Sequence, residues 1–290
     1  MNFNLHTHTK FSDGSSDPLD YVKEAVIQGF DTLGFSDHAP VLFKNTFAIR
    51  DGKLEEYVNT ILDLRKQYSS PHILLALEVD YIPGITMSFD DLRKQYPFDY
   101  LIGSVHLVNP SPCPLPQDGG GSEQLWFIDG PDISIYDKGL QELFGGDGRK
   151  AVTAYYRQVQ EMIITQKPDI IGHLDKIKMY NRNRYFQETD PWYVSLVDDT
   201  LDLIRDSGCV IEVNTRGIYK KRSEALFPGP EILKKMHRLN IPVTISSDAH
   251  KPHEISLYFE ETKEILKEIG FKEMVMKTVS DWKEIPIIAD

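Results

Sequence analysis

Residues 73–80 read ILLALEVD, five apolar residues followed by Glu78-Val79-Asp80. A run this apolar is typical of a strand that is covered on both faces of a parallel sheet. Six more segments share this character, and helical patterns lie between them. The alternation favours a closed α/β barrel of seven parallel strands over an open sheet. The predicted strands are residues 2–5, 32–35, 73–79, 100–105, 169–172, 210–213 and 243–246.

The intervening segments carry helix signals of their own. Asp17-Pro18 is typical of a helix start, and Gly29 is typical of a helix stop. Further helical patterns cover residues 54–68, 151–165, 193–205, 230–239 and 253–267. An eight-stranded TIM barrel is the nearest alternative, because an eighth strand could lie at residues 274–276 or 285–288.

One segment interrupts this rhythm, at residues 109–148. It contains four prolines within seven residues, the run Gly119-Gly120-Gly121 and the pair Gly145-Gly146. Long irregular insertions in compact domains are often binding loops or lids. Because it directly follows His106, we predict an active-site lid after strand four. A mobile surface excursion is the alternative.

The composition bounds the class of protein. The chain of 290 residues is 41% apolar, which fits one globular domain over residues 1–290. A net charge of −12 without a basic patch argues against nucleic-acid binding. The two cysteines, Cys113 and Cys209, form no CxxC pattern, so a thiolate metal site is not expected. No apolar run approaches the roughly 18 residues of a membrane span, and the start lacks a signal-peptide pattern, so we predict a cytoplasmic protein.

Polar side chains occur where the predicted strands end. In an α/β barrel the carboxyl ends of all strands meet at one rim, so residues distant in sequence become neighbours there. Six of the nine histidines lie at such ends. The clusters are His6-Thr7-His8, Asp37-His38, Glu78-Val79-Asp80, His106, His173, Asn214-Thr215-Arg216 and Asp248-Ala249-His250.

The spacing of these residues indicates a catalytic metal site. His6 and His8 are two residues apart, so both side chains can point the same way, and Asp248 and His250 repeat the spacing. Imidazoles and carboxylates without thiolates suit Zn²⁺, Mn²⁺ or iron. We expect Asp37, which should point away from its neighbour, to support the ligands from behind.

With these residues in place, the chain resembles the PHP superfamily (polymerase and histidinol phosphatase). Within it, the chain is most similar to the histidinol-phosphate phosphatases. The resemblance runs almost end to end and depends on the order of several short motifs. These are LHTHTKFSDG, GFSDHAP, LEVDYIPG, YLIGSVHLV, IIGHLDKIK, VIEVNT and SSDAHKP.

The resemblance implies a distorted (β/α)7 barrel with a site for three divalent metal ions. It implies that Glu78 bridges two ions and that Asp13, in the motif FSDG, joins the third. The nucleophile would be a metal-bound hydroxide rather than a side chain, and the substrate L-histidinol phosphate, in histidine biosynthesis. The implied ligands are His6, His8, Asp13, His38, Glu78, His106, His173, Asp248 and His250.

Phosphate contacts from outside the metal set are expected from arginine, which suits bidentate phosphate recognition. Arg216 and Arg182 are the predicted contacts, and Glu212 or Asp80 could receive the substrate amine.

Three other functions remain open from the sequence. The first is a related phosphoesterase acting on phosphotyrosine or a nucleotide. The second is a non-catalytic PHP module of the kind found in DNA polymerases. The third is an amidohydrolase, which also uses a His-x-His motif but usually needs an eight-stranded barrel and often a carboxylated lysine.

Overall fold

The computed structural model describes residues 2–111, 113 and 124–287. Seven parallel strands form one nearly closed barrel, in which neighbouring strands follow one another in chain order. All seven strands predicted from the sequence are confirmed. The strands are β1 (Phe3–Asn4), β2 (Thr32–Phe35), β3 (His72–Asp80), β4 (Tyr100–Ser104), β5 (Leu107–Val108), β6 (Trp126–Phe127), β7 (Ile170–Ile171), β8 (Val210–Asn214), β9 (Val243–Ser246), β10 (Glu273–Lys277) and β11 (Trp282–Pro286).

The barrel closes just beyond its first and last strands. Thr7 and Ala249 form a parallel bridge there. The amide of His8 donates to the carbonyl of Ala249 at 2.8 Å, and the amide of Ala249 donates to the carbonyl of His6 at 3.2 Å. This seam therefore brings His6 and His8 next to Asp248 and His250 on the rim.

Helices cover the outside of the barrel. The predicted helix over 253–267 is wrong at its start: a 3₁₀ turn occupies Pro252–Glu254, and Tyr258, in the left-handed region at φ 69°, interrupts the chain before the helix begins. The helices are α1 (Pro18–Ile27), α2 (Leu54–Gln67), α3 (Phe89–Gln95), α4 (Ile133–Phe144), α5 (Gly148–Gln166), α6 (Pro191–Ser207), α7 (Arg216–Tyr219), α8 (Pro230–Arg238) and α9 (Phe259–Ile269).

The alternative of an eighth barrel strand is wrong. Residues 274–276 lie in β10, and of residues 285–288 the first two lie in β11, residue 287 follows it and residue 288 is outside the described residues. These two strands pair with each other in antiparallel register. Among the described residues, β10 and β11 pair only with each other, so they form a two-stranded sheet separate from the barrel.

The segment 109–148 is less irregular than predicted. Its helix α4 begins after Asp132, whose carboxylate accepts from the amide of Ser134, and ends at Gly145 with φ 64°. Trp126 of β6 is fully buried and lies 4.7 Å from the ring of Tyr136. This part is anchored to the core, whereas residues 112 and 114–123 lie outside the described residues. The lid stays a prediction.

A close contact inside the barrel fixes the end of β1. The hydroxyl of Tyr100 donates to the carbonyl of Leu5 at 2.5 Å. A Cβ atom at Gly34 would lie 1.9 Å from that hydroxyl, so this position requires glycine. The contact holds the backbone that leads directly into His6.

Candidate metal centre

The predicted ligands meet at the carboxyl-terminal rim of the barrel. They lie in and beneath a cavity of about 290 Å³ that we call the main cavity. Its lining includes Asp13, His38, Glu78, His106 and Asp248. The structure thus brings together residues from His6 to His250, which are 244 positions apart in the sequence.

Glu78 lies at the middle of the cluster. Its two oxygens face different groups of imidazoles, which is the arrangement expected of a carboxylate shared by two cations. Oε1 lies 3.0 Å from His173 Nε2 and 3.6 Å from His106 Nε2. Oε2 lies 3.2 Å from His6 Nε2, 3.4 Å from His8 Nε2 and 3.3 Å from His38 Nδ1.

Two further carboxylates complete the set. Asp248 Oδ1 lies 3.3 Å from His8 Nε2. Asp13 Oδ2 lies 3.2 Å from His250 Nε2, and its Oδ1 lies 3.9 Å from His38 Nε2. All nine residues named from the resemblance therefore lie within one continuous cluster, in subgroups close enough to share a metal ion.

The charge states of Glu78 and His8 suit cation binding, whereas, against the effect of burial, the carboxylates around His6, His38 and His106 raise the pKa of those imidazoles above the usual value, so a cation must displace protons there. Burial opposes ionisation of Glu78, yet the imidazoles of His6, His38 and His106 hold the pKa of its carboxyl well below the usual range. Burial lowers the pKa of His8 to about 3, so its imidazole is neutral at pH 7. Ionised carboxylates and neutral imidazoles are the forms that bind metals.

Several ring nitrogens in the cluster lack hydrogen-bonding partners within the described part of the chain. They are His6 Nε2, both nitrogens of His8, and His173 Nδ1. Leaving a buried polar atom unpaired costs about 1–3 kcal/mol. Nitrogen and oxygen donors at this density fit divalent ions such as zinc or manganese.

Other carboxylates hold the histidines from behind. Asp80 contacts Nδ1 of both His38 (2.9 Å) and His106. Glu212 lies 2.5 Å from His6 Nδ1 and also accepts from the His173 amide at 2.8 Å. Such contacts orient ligands and fix their tautomers. Asp80 and Glu212 are thus committed to the histidines, which argues against their predicted contact with a substrate amine.

Asp37 has a supporting role of another kind. Its carboxylate accepts from the amide of Thr9 at 2.7 Å and from the hydroxyl of Ser12 at 2.6 Å. It therefore holds the loop that carries Asp13, in agreement with its predicted orientation away from His38.

Basic side chains lie beside the cluster. Arg216 lines the main cavity, and its Nη1 donates to the carbonyl of Asp248 at 2.6 Å. Arg182 lies instead on a neighbouring cavity, so the geometry gives no support to its predicted substrate contact. Sequence reasoning missed Lys176, whose Nζ lies 3.4 Å from His106 Nε2 and 3.9 Å from Asp248 Oδ2. Its position three residues after His173, in HLDK, was the available signal.

Residues 4–216 match the sequence profile of the PHP domain family. The chain belongs to the PHP family. Among curated members, it is 27% identical over 280 residues to the histidinol-phosphatase of Bacillus subtilis, covering 88% of this chain and 96% of that protein.

Solved structures of similar proteins share the fold. A Listeria monocytogenes protein thought to be a histidinol phosphatase aligns with a TM-score of 0.75 and 21% identity, over 90% of this chain and 99% of its own. The histidinol phosphate phosphatase of Lactococcus lactis, solved with zinc, L-histidinol and phosphate, aligns with a TM-score of 0.68 and 19% identity, over 97% of this chain and 98% of its own. Within the described residues of the present chain, no helix has the length and apolarity to cross a bilayer.

Proposed function

We propose that this chain is a metal-dependent phosphomonoesterase that hydrolyses L-histidinol phosphate to L-histidinol and phosphate. The observation that carries the proposal is the arrangement of imidazoles and carboxylates around Glu78, at the open end of a PHP barrel. Support for the substrate comes from the similarity to histidinol-phosphatases, which extends over nearly the whole of both chains.

The cluster divides into three sets of ligands. His6, His8, Glu78 and Asp248 would hold one ion, and Glu78 with His106 and His173 would hold a second. Asp13, His38 and His250 would hold the third. The subgroups of nearby donor atoms support the first two sets, and Glu78 is positioned to serve both ions at once. For the third set the support is that Asp13 lies 3.2 Å from His250 Nε2 and 3.9 Å from His38 Nε2.

Bound divalent ions would supply an activated water near neutral pH and would neutralise charge on the phosphoryl oxygens. The protein's own side chains would orient the ligands and bind the phosphate. Asp80 and Glu212 keep the Nδ1 atoms of their histidines engaged, so that Nε2 faces the cluster. Lys176 and Arg216 add fixed positive charge on the cavity side, where a phosphate dianion would bind.

These two cations differ in how they are held. Arg216 is anchored to the backbone at Asp248 and lies 3.9 Å from Glu254, which keeps its position fixed. Lys176 is tied to Asp129 at 2.8 Å. An anion entering the cavity would therefore meet two positioned donors as well as the ligand cluster. A role in histidine biosynthesis and a cytoplasmic location belong to the same proposal.

The direct test is phosphate release by the purified, metal-analysed protein. L-Histidinol phosphate, phosphotyrosine and a nucleoside monophosphate would be compared at equal concentration. The proposal requires histidinol phosphate to have the highest kcat/KM. Preference for either competitor would contradict the substrate assignment and leave the phosphoesterase assignment standing, whereas no turnover of any substrate by metal-loaded protein would contradict both.

A further inference from the structure

Asp129 is a carboxylate in the wall of the main cavity that the proposed metal chemistry does not use. It follows β6 by two residues, and its side chain is 13% exposed. Oδ2 accepts from Lys176 Nζ at 2.8 Å. Oδ1 is buried and has no hydrogen-bonding partner among residues 2–111, 113 and 124–287.

This unused acceptor distinguishes Asp129 from the other acids of the cavity. Within the described part of the lining, it is the one carboxylate with a fully buried, unpartnered oxygen. A carboxylate can accept about four hydrogen bonds. The terminal torsion of aspartate is broad, so a small rotation can turn either oxygen towards a ligand.

The carboxylate is also negatively charged, because it forms an ion pair with the ammonium of Lys176 at 2.8 Å. Lys176 also lies close to His106 and Asp248, so its charge is not devoted to Asp129 alone. The Asp129 carboxylate can therefore accept a second cationic partner. A ligand that brings its own ammonium group would satisfy the free oxygen and the charge together.

The position of Asp129 fits such a ligand. Its Oδ2 lies 3.8 Å from His106 Nε2, so the carboxylate borders the proposed metal ligands on the cavity side. Phe127 and Pro131 flank it on the cavity wall, and Phe47 lies 6.0 Å from Phe127. In L-histidinol phosphate the ammonium group is two carbons from the ester oxygen, so a phosphate at the cluster places the amine near this wall.

We infer that Asp129 binds the amino group of the substrate and so selects phosphomonoesters of amino alcohols. The inference rests on the proposed function. It replaces the expectation that Glu212 or Asp80 would serve, because both contact histidine Nδ1 atoms behind the cluster.

The test compares two substrates on matched enzymes. L-Histidinol phosphate carries the amine, and 3-(imidazol-4-yl)propyl phosphate lacks it. Asp129→Asn removes the charge and keeps the shape, and Asp129→Glu restores the charge. Asp132→Asn is the control, because Asp132 caps α4 three residues away, outside the cavity lining, and asparagine caps as well as aspartate.

The wild type should prefer the amine-bearing substrate. Asp129→Asn should lower kcat/KM for histidinol phosphate about 10- to 100-fold more than for the analogue, as expected for loss of a charged hydrogen bond. Asp129→Glu should recover part of this preference, and Asp132→Asn should keep all of it. Metal content should stay at the wild-type value in every variant.

Equal losses on both substrates would overturn the inference, because Asp129 would then act only through Lys176. Loss of bound metal would overturn it too, by making Asp129 a ligand. If Asp129→Asn does not accumulate as folded protein, the smaller Asp129→Ser takes its place. If the wild type does not hydrolyse histidinol phosphate, the proposed function fails independently of this inference. The same comparison can then be made with phosphoethanolamine, which carries an amine, and ethyl phosphate, which does not. Equal kcat/KM values for these two substrates would overturn the inference.

Discussion

Replacing Glu212 by glutamine should weaken metal binding without changing any proposed ligand. The carboxylate is fully buried and makes contacts on both sides. Oε2 accepts from the His173 amide at 2.8 Å and from the Asn214 side chain at 3.1 Å. Oε1 lies 2.5 Å from His6 Nδ1 and accepts from the Ser246 hydroxyl.

Glutamine has only one acceptor oxygen. The His173 amide and the Asn214 side chain both donate on the Oε2 side, so the glutamine oxygen should take that side. The amide NH₂ would then face His6 Nδ1 and donate to it. This moves the imidazole proton to Nε2, the atom that points at Glu78 Oε2 from 3.2 Å. A protonated nitrogen cannot bind a metal ion. Loss of such a supporting contact costs about 10- to 100-fold in affinity or activity, which is about 1.4–2.8 kcal/mol at 1.4 kcal/mol per factor of ten.

The assay is a metal titration of kcat/KM on chelator-treated protein, with folding followed by circular dichroism. Half-activation should require about 10- to 100-fold more metal in Glu212→Gln, with activity recovering at saturation. Asp99→Asn is the matched control, because the Asp99 side chain is only 6% exposed, lies just before β4 at the end of the barrel away from the cluster, and is bound to Arg65 and to the Leu75 amide. An unchanged titration midpoint in folded Glu212→Gln would refute the tautomer argument.

Three further outcomes are expected. His8→Ala or Asp248→Ala should abolish phosphatase activity while far-UV circular dichroism stays native; near wild-type turnover in metal-loaded protein would refute the ligand assignment. Arg216→Ala should lower kcat/KM by about 10²- to 10³-fold, the loss typical of one positioned donor, and steady-state kinetics with unchanged metal content would show it. Gly34→Ala should destabilise the fold by about 1–3 kcal/mol in urea unfolding, because the Tyr100 hydroxyl must move away from the new methyl group; unchanged stability would mean that the barrel accommodates it freely.

The sequence was most informative where the barrel geometry leaves little freedom. Apolar runs such as ILLALEVD predicted all seven barrel strands, because strands buried on both faces tolerate few polar residues. The convergence of strand ends predicts that residues as distant as His6 and Asp248 lie in one cluster, and in the structure they do.

The misses have physical causes. Helix α4 was hidden by the glycines and prolines around it, although Asp132 and Gly145 are suitable caps. Nothing in the sequence indicates that Tyr258 adopts a left-handed backbone and delays α9. The pairing of Asp129 with Lys176 joins two segments whose relative position follows only from tertiary packing, so neither was predicted to line the cavity.

The closure of the barrel between Thr7 and Ala249 has a consequence for stability. β1 is two residues long, and His6 and His8 flank one side of this joint while Asp248 and His250 flank the other. Metal ions bound between them would hold the first and last strands of the barrel together where a single bridge joins them. Removal of the ions should therefore let the backbone amides of His8 and Ala249 exchange with solvent before those of the other strands. Since a ligand that binds only the native state stabilises it by mass action, the metal-free protein should stay folded but unfold at a lower temperature than the metal-loaded protein.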